Sequence, residues 1–495
     1  MQEWVEQELE TADLGDERLD ARFRVLTDCL SRHPSVSIPT ACGGTAEMTA
    51  AYRFFGNERV KAAKVLTPHR HATLQRIQAE RVVLVIQDTT EMDVTRPEQQ
   101  LAGAGPLNDE SHWGFYNHVS LAVTPERVPL GVVDANQWAR DVEEFRKNKR
   151  LSKRAKEQKR KQTRIEDKES YRWVEGYRLA STVAAQVPKT LVVSIADSEG
   201  DIYEYFAEAA PEKGTRKAEW IVRACQNRSL PSAGSAGSGY QKLWEEVSGT
   251  SILDTCQVEV SKNRPQSQDD RKRKQARSAR TTTVTIQAKR VKLKAPWRPD
   301  APLQDVDVNA ILVREVDPPE GEEPVEWLLL TSLPIDKLKK VQRVIEYYAC
   351  RWQIEIYFRV LKSGCKVEDR QFESDDHYLP CLALYMVIAW RVMYVMMLGR
   401  TCPEMSCGEL FSEAEWKAVY TIVRREPAPE TPPTLQEMIA LIGRLGGHLG
   451  RKHDGPPGPK SMWIGMQRMM DLASAWEAFG PAARAAKNGK KCVKR

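Results

Sequence analysis

Residues 81–90 read Arg-Val-Val-Leu-Val-Ile-Gln-Asp-Thr-Thr, a continuous apolar run that ends in polar residues. Residues 191–199 repeat this pattern as Leu-Val-Val-Ser-Ile-Ala-Asp-Ser-Glu. Such runs are typical of strands that are buried on both faces of a sheet. Residues 118–133 suit a hairpin, and residues 173–185 suit a helix. The order strand, hairpin, helix, strand predicts a mixed α/β domain.

Asp88 and Asp197 stand directly after these two strands. In parallel sheets the working residues lie at the carboxyl ends of the strands, although an Asp in this position can also be a turn residue or a helix cap. On neighbouring strands the two carboxylates would lie within a few ångströms and repel each other unless a cation sat between them. Oxygen ligands without nearby Cys or His favour Mg²⁺ or Mn²⁺.

The segment of about residues 215–332 changes to a period of two, which suits antiparallel strands. We interpret it as an all-β insertion within the α/β domain. It includes a charge-rich loop at 262–280.

A long helix is predicted over about residues 337–362. It carries Tyr348, Arg351, Glu355 and Lys362 on one narrow face, because offsets of 0, 3, 7 and 14 residues nearly coincide at about 100° per residue. The face is either a solvated polar surface or a metal-binding carboxylate among groups that hold phosphate.

The two ends of the chain read as helical. Residues 1–70 contain a stripe at Leu19, Phe23, Leu26 and Leu30, preceded by Asp16 as a candidate N-cap. These helices suit a DNA-reading module, a dimerisation element or a packing element.

Residues 369–495 form the second helical region. Its apolar stretch 381–398 is interrupted by Arg391 and predicts a buried helix rather than a membrane span. The stripe 385–398 is a candidate dimer contact, with intramolecular core as the alternative.

The net charge of +6 is concentrated in runs. Residues 146–164 hold eleven Lys and Arg and one Glu, and residues 484–495 hold six basic residues and no acid. Both runs suit either contact with a polyanion such as DNA or a solvated segment.

Ten cysteines without a C-x-x-C pair predict reduced thiols rather than a disulfide framework or a metal knuckle. The opening MQEWVEQELE lacks the apolar segment of a signal peptide.

Three motifs in order carry a family resemblance. They are Gln87-Asp88-Thr89-Thr90, then Asp197-Ser198-Glu199-Gly200-Asp201, then Tyr348-x2-Arg351-x3-Glu355-x6-Lys362. The set resembles the DDE transposases of bacterial insertion sequences, in the Y-R-E-K signature group typified by the transposase of transposon Tn-five. Leu14-Gly15-Asp16 and Ala51-Tyr52-Arg53-Phe54 add to it. The resemblance spans about residues 1–400.

The resemblance implies a ribonuclease-H-like catalytic core at residues 71–368, between an N-terminal DNA-binding domain at 1–70 and a C-terminal dimerisation domain with a basic tail at 369–495. By position, Asp88, Asp197 and Glu355 would bind two Mg²⁺ ions, for which Mn²⁺ can substitute. Tyr348, Arg351 and Lys362 would hold terminal phosphates, as would Arg223. Trp327 either stacks on a base turned out of the duplex or belongs to the core.

The implied function is cut-and-paste transposition. The enzyme would cleave DNA at element-end inverted repeats through a hairpin intermediate and transfer the ends into target DNA as a homodimer on paired ends. A degenerate end-binding protein and a structure-selective nuclease of the same fold are the alternatives. No phosphate-binding G-x-x-x-x-G-K-[ST] loop is present, so no nucleotide cofactor is expected. We expect a cytoplasmic bacterial protein that associates with the nucleoid when bound to DNA, with no membrane partner.

Overall fold

The fold is taken from a computed structural model that describes residues 1–212, 214–231, 241–260, 277–298 and 302–481. The basic tail at 484–495 lies outside the described residues, as does most of the charge-rich loop at 262–280.

The N-terminal region is helical, as predicted. Its helices are α1 (Glu3–Glu8), α2 (Glu17–Arg32), α3 (Ile38–Cys42), α4 (Thr45–Phe55) and α5 (Ala62–Gln78). Asp16 caps α2 by accepting a hydrogen bond from the Arg18 amide, which confirms the predicted cap. Phe23, Leu26 and Leu30 of the predicted stripe are buried. The proposed boundary at residue 70 falls inside α5, which packs on the sheet and on a long C-terminal helix.

One mixed sheet runs through the centre of the protein. Its strands within the described ranges are β1 (Val82–Asp93), β2 (Gly105–Pro106), β3 (Trp113–Val123), β4 (Pro129–Trp138), β5 (Leu191–Ala196), β6 (Glu219–Arg223), β7 (Asp254–Val260), β8 (Arg280–Leu293), β9 (Val306–Glu315) and β10 (Glu326–Thr331). β1 pairs antiparallel with β3 and parallel with β5, and β5 pairs parallel with β6. This is the strand arrangement of a ribonuclease-H-like core, and it confirms the predicted fold class.

The β-rich segment differs from the predicted all-β insertion in two respects. It contains a helix, α10 (Leu243–Ser248), and it does not form a separate sheet. Its first strand, β6, pairs parallel with β5 and antiparallel with β10, so the strands β10, β9, β8 and β7 extend the central sheet in that order. A period of two reports which face of a strand is buried and carries no information about its partner, which explains the difference.

Helices cover both faces of the sheet. The helices between β4 and β6 are α6 (Val142–Arg150), α7 (Lys153–Gln162), α8 (Arg172–Gln186) and α9 (Tyr203–Glu208). Leu84 and Ile86 face the N-terminal and C-terminal helices, whereas Val83 and Val85 face α8 and α9. Gly176 of α8 lets the helix approach the strand closely, since a Cβ there would lie 2.1 Å from Oε1 of Gln87 and would force that side chain to move.

The predicted helix at 337–362 is interrupted twice. It consists of α11 (Leu338–Ala349), α12 (Trp352–Arg359) and a π-helical turn at Val360–Gly364. At the junction, Arg351 and Ile354 donate backbone hydrogen bonds to the carbonyls three residues earlier, so the turn tightens locally. We call 338–364 the signature helix. The π turn at its end moves Lys362 away from its ideal helical position.

The C-terminal helices are α13 (Asp375–Thr401), α14 (Glu413–Arg424), α15 (Leu435–Leu445) and α16 (Pro459–Phe479). In the part of the chain that the structure describes, α13 alone is long and apolar enough to cross a membrane, but 89% of its most apolar window is buried inside the protein. Most side chains of the stripe 385–398 are buried within the protein, which favours intramolecular core over a dimer contact. The helix α13 packs on α2, α5 and β4.

Candidate active site

Asp88, Asp197 and Glu355 line one open cavity of about 740 Å³. Ile86 pairs with Ile195 in the parallel ladder of β1 and β5, so Asp88 and Asp197 each lie two residues beyond the same pair. Glu355 approaches from the first turn of α12. The structure thus brings the three acids together from positions 109 and 158 residues apart in sequence.

Arg351 lies between two of these acids. Its guanidinium contacts the Asp88 carboxylate at 2.9 Å and the Glu355 carboxylate at 3.4 Å. The pKa of Asp88 is raised to about 7, by burial first and also by the charges of Asp197 and Glu355, against the lowering effect of Arg351. Burial lowers the pKa of Arg351, but Tyr348 and the three neighbouring acids outweigh this effect and raise it. The site therefore disfavours three bare negative charges and favours an added cation.

The donor set fits a divalent metal ion by its chemistry. The three side chains offer carboxylate oxygens, which Mg²⁺ and Mn²⁺ prefer. Over the described ranges, no group of three or more His, Cys, Asp or Glu side chains is close enough to hold a metal ion in this arrangement. In this structure the guanidinium of Arg351 places a positive charge between Asp88 and Glu355.

Tyr348, Trp327 and Arg223 form a second group next to the acids. Tyr348 is 4% exposed, and burial raises the pKa of its hydroxyl while Arg223 and Arg351 oppose this. The ring of Trp327 packs edge-on against Tyr348, with centroids 5.4 Å apart. Arg223 donates a hydrogen bond to the Ser198 hydroxyl at 3.2 Å, one residue beyond Asp197.

Trp327 is only 9% exposed, as the core interpretation of this residue predicts. Its place in β10, opposite Val313 of β9, encloses it in the sheet. Stacking on a nucleotide base would require its ring to become accessible.

Lys362 lines the same cavity as the three acids. Its ammonium donates to the Glu91 carbonyl at 2.8 Å and pairs with Glu368 at 2.9 Å. Glu368 also accepts a hydrogen bond from the Asp93 amide at 2.9 Å. These contacts fix Lys362 beside the acids but leave its charge partly neutralised.

Arg172 is a site residue that the sequence reasoning missed. It donates to the Thr89 hydroxyl at 2.9 Å and pairs with Glu199 at 2.7 Å. Thr89 follows Asp88 and Glu199 lies two residues after Asp197, so Arg172 connects β1 with the turn that follows β5. Asp88 lies within β1, which continues to Asp93 by pairing with β3, and not directly after the strand as the sequence predicted. The place of Arg172 at the start of α8 gives no local signal of this role, because both partners are distant in sequence.

The other nearby carboxylates have structural partners. Asp201 is buried and pairs with Arg228. Asp93 pairs with His112 at 2.7 Å and does not line the cavity. Neither Asp201 nor Asp93 therefore belongs to the cavity lining, which holds Glu91, Glu169, Glu199 and Glu368 besides the three acids.

Among solved structures, the chain is similar to a piggyBac transposase in a synaptic complex with hairpin DNA, at 11% sequence identity and a TM-score of 0.31. The match covers 68% of this chain and 53% of that one, so the chain spans about half the length of the relative. A likeness this weak says nothing about function.

Three family models match the chain in sequence order. They describe a transposase DNA-binding domain at residues 1–60, a transposase DDE domain at residues 137–378 and a transposase Tn5 dimerisation domain at residues 387–480. A DDE domain indicates metal-dependent endonuclease and strand-transfer chemistry, generally with Mg²⁺ or Mn²⁺. The flanking domains support DNA binding and homodimerisation. The chain therefore belongs to the DDE transposases of the Tn5 group.

Proposed function

We propose that this protein is a cut-and-paste DNA transposase that acts at the inverted repeats of its element. The observation that carries the proposal is the convergence of Asp88, Asp197 and Glu355 in one open cavity. The DNA-binding and dimerisation domains on either side of the DDE domain support two protomers on paired element ends. Its place of action is the bacterial cytoplasm, on the nucleoid.

In this proposal the three acids hold two divalent ions. When bound, such ions activate the attacking oxygen and stabilise the leaving oxygen of an in-line displacement at phosphorus. Asp88 binds metal only as the carboxylate, so its proton must leave first. Arg351 lies beside Asp88 and Glu355, where its guanidinium would hold a DNA phosphate.

Four successive phosphoryl transfers at one site complete the reaction. Water nicks one strand to free a 3′-hydroxyl, that hydroxyl attacks the opposite strand to form a hairpin, water reopens the hairpin, and the 3′-end attacks target DNA. Tyr348, Arg223 and Lys362 flank the acids and hold terminal phosphates during these steps. Trp327 supports the hairpin step by contact with an unstacked base, which requires its ring to leave its packing against Tyr348.

The proposal is tested by the variants Asp88→Ala, Asp197→Ala and Glu355→Ala. Each should lower Mg²⁺-dependent cleavage of an element-end duplex by roughly a thousandfold, because loss of a ligand removes several kcal/mol of transition-state stabilisation. Binding of the same duplex without metal should persist in a gel-shift assay. Asp93→Ala is the matched control, since Asp93 lies near the site without lining the cavity.

Each alternative has its own outcome in this experiment. A wild-type protein that binds ends but never cleaves would be a degenerate end-binding protein. Cleavage without strand transfer would indicate a structure-selective nuclease. Full cleavage by Asp88→Ala would contradict the assigned site.

A further inference from the structure

The basic run at 146–164 forms two exposed helices rather than an extended loop. They are α6 and α7, neither of which contains a buried residue. We call residues 142–162 the basic hairpin. Lys159 joins its two helices by donating to Glu144 and Asn148 at 3.1 and 2.8 Å. The hairpin is therefore an ordered element with its charges on the surface.

Many of its charges have no acidic partner. Five of the eleven Lys and Arg in the run pair with acids, namely Arg146, Lys149, Lys159, Lys161 and Arg164. No ion pair with an acid within the described ranges is found for the remaining six, which are Lys147, Arg150, Lys153, Arg154, Lys156 and Arg160. A solvated stabilising face would be expected to alternate its charges, whereas an excess of one sign favours a polyanion.

A groove of about 890 Å³ lies between the hairpin and the end of β4. Lys156 and Arg160 line it from α7, and Lys149 lines it from α6. Lys168 lines its floor, and burial lowers the pKa of this ammonium, with the charges of Arg298 and Arg160 adding to the effect. Four acids also line the groove, and two of them, Glu144 and Glu169, are paired with Lys159 and Arg140. The other two are Asp141 and Asp167, so basic residues outnumber acids along the lining.

The groove adjoins the catalytic cavity. Asn108, Trp138, Arg140 and Glu169 line both spaces. Arg140 lies where the two spaces meet. It pairs with Glu169, and its guanidinium carbon lies 4.3 Å from the centroid of the Tyr116 ring. A DNA backbone whose phosphate reacts at the acids would reach the groove without leaving the protein surface.

We propose that this groove binds the phosphate backbone of the target DNA, the duplex that receives the transferred end. The inference rests on the proposed function and adds the surface that holds its second substrate. The helix α7 is about 15 Å long, the length of about four base pairs. Lysine and arginine contacts to phosphate carry no sequence information, which suits a target of arbitrary sequence.

Flanking donor DNA carries the same phosphates, but its binding depends less on the groove. It is covalently continuous with an element end that the protein already holds, so its effective concentration at the site is high. Target DNA has no such link and must be held by the protein itself until strand transfer.

The test uses the full-length protein with two substrates. Strand transfer is measured with pre-cleaved ends that lack flanking DNA and a plasmid target, and nicking is measured with uncleaved ends. The variant Lys156→Ala/Arg160→Ala should lower the ratio of strand transfer to nicking about tenfold. It should also reduce the slope of log affinity for plasmid against log salt by about 2, one for each lost phosphate contact.

The control is Lys147→Ala/Arg154→Ala, which removes the same charge from hairpin residues that do not line the groove. It should change the ratio less than twofold. An equal loss in both variants would mean that only overall charge matters, and an equal loss of nicking and strand transfer would assign the groove to donor DNA. Either result overturns the proposal, as would an unchanged salt slope.

These experiments distinguish a failure of the proposed function from a failure of the assignment of the groove to target DNA. A wild-type protein that neither nicks nor transfers overturns the function. The salt slope for plasmid binding still decides whether the groove contacts DNA.

Discussion

The guanidinium of Arg351 lies 2.9 Å from the carboxylate of Asp88, although 263 residues separate them in the chain. The same guanidinium reaches Glu355, so one largely buried cation connects β1 with the signature helix. The acids would otherwise repel one another across the cavity. Arg351 therefore acts as an internal counter-ion at the position where the proposed metal ions add positive charge.

Removal of this counter-ion should destabilise the metal-free protein. Arg351→Ala is expected to lower the free energy of unfolding by roughly 3 kcal/mol, because it leaves the largely buried Asp88 carboxylate without its partner. Arg351→Lys should lose less, since it keeps the charge but not the two-pronged geometry. Urea unfolding without metal measures both.

Added Mg²⁺ provides the sharper readout for the same variants. It should raise the melting temperature of Arg351→Ala more than that of the wild type, because the cation replaces the missing positive charge. An equal shift in the two proteins would argue against metal binding at these acids.

Metal affinity should rise with pH through neutrality. The pKa of Asp88 is raised to about 7, by burial first and then by Asp197 and Glu355, so a proton competes with the metal below that pH. Apparent Mn²⁺ affinity should weaken roughly tenfold from pH 8 to pH 6. Electron paramagnetic resonance of free Mn²⁺ measures it. Asp88→Asn should lose both the affinity and its pH dependence, and a flat profile for the wild type would contradict the prediction.

Arg172 is expected to act as a positioning residue. Arg172→Gln removes the link between Thr89 and Glu199, so the acids should bind metal less well, by about 10–100-fold. The Mg²⁺ concentration for half-maximal cleavage should rise by that factor, while cleavage at saturating Mg²⁺ should change less. Arg178→Gln is the matched control on α8, because Arg178 pairs with Glu208 instead. Equal metal requirements in both variants would leave Arg172 without this role.

Trp327 combines packing with its proposed part in the hairpin step. Trp327→Ala should lower the free energy of unfolding by about 3–5 kcal/mol, as expected for a large buried side chain. Trp327→Phe keeps most of this packing and serves as the informative variant. Denaturing gels should show a larger loss of hairpin product than of the first nick. Equal losses of both products would assign Trp327 to packing alone.

A buried ionic group joins the N-terminal helices to the sheet. Glu8 of α1 contacts His69 at 2.5 Å and Arg76 at 2.8 Å, and both partners lie on α5. Burial alone would raise the pKa of Glu8, but His69 and Arg76 outweigh it and lower the value to about 2. The Val132 amide donates to the other ring nitrogen of His69, which completes the link to β4.

The stability that Glu8 provides should therefore depend on pH. A carboxyl group with a lowered pKa stabilises the folded state above its unfolded pKa of 4.5, and this contribution is lost as the pH falls towards 2. Glu8→Gln should lose roughly 3 kcal/mol at neutral pH and show a shallower acid transition between pH 5 and 2. Glu6→Gln, at an exposed position of the same helix, should behave as the wild type. Parallel acid transitions for Glu8→Gln and the wild type would contradict this assignment.

The sequence by itself determined the strands that carry Asp88 and Asp197, the helix that carries Glu355 and the helical ends of the chain. These features follow from local periodicity and from the residue types at strand ends, which depend little on distant partners. The ordered motifs also identified the family, which the matches to its domains confirm.

Only the tertiary structure decided how these elements meet. It placed β6 beside β5, so that the β-rich segment extends the central sheet, and it enclosed Trp327 and the stripe at 385–398 in the core. It also revealed Arg172, and it set Arg351 between Asp88 and Glu355. The reason is physical: a strand pattern does not specify its neighbour, and an ion pair between residues far apart in sequence exists only after packing brings the two charges together.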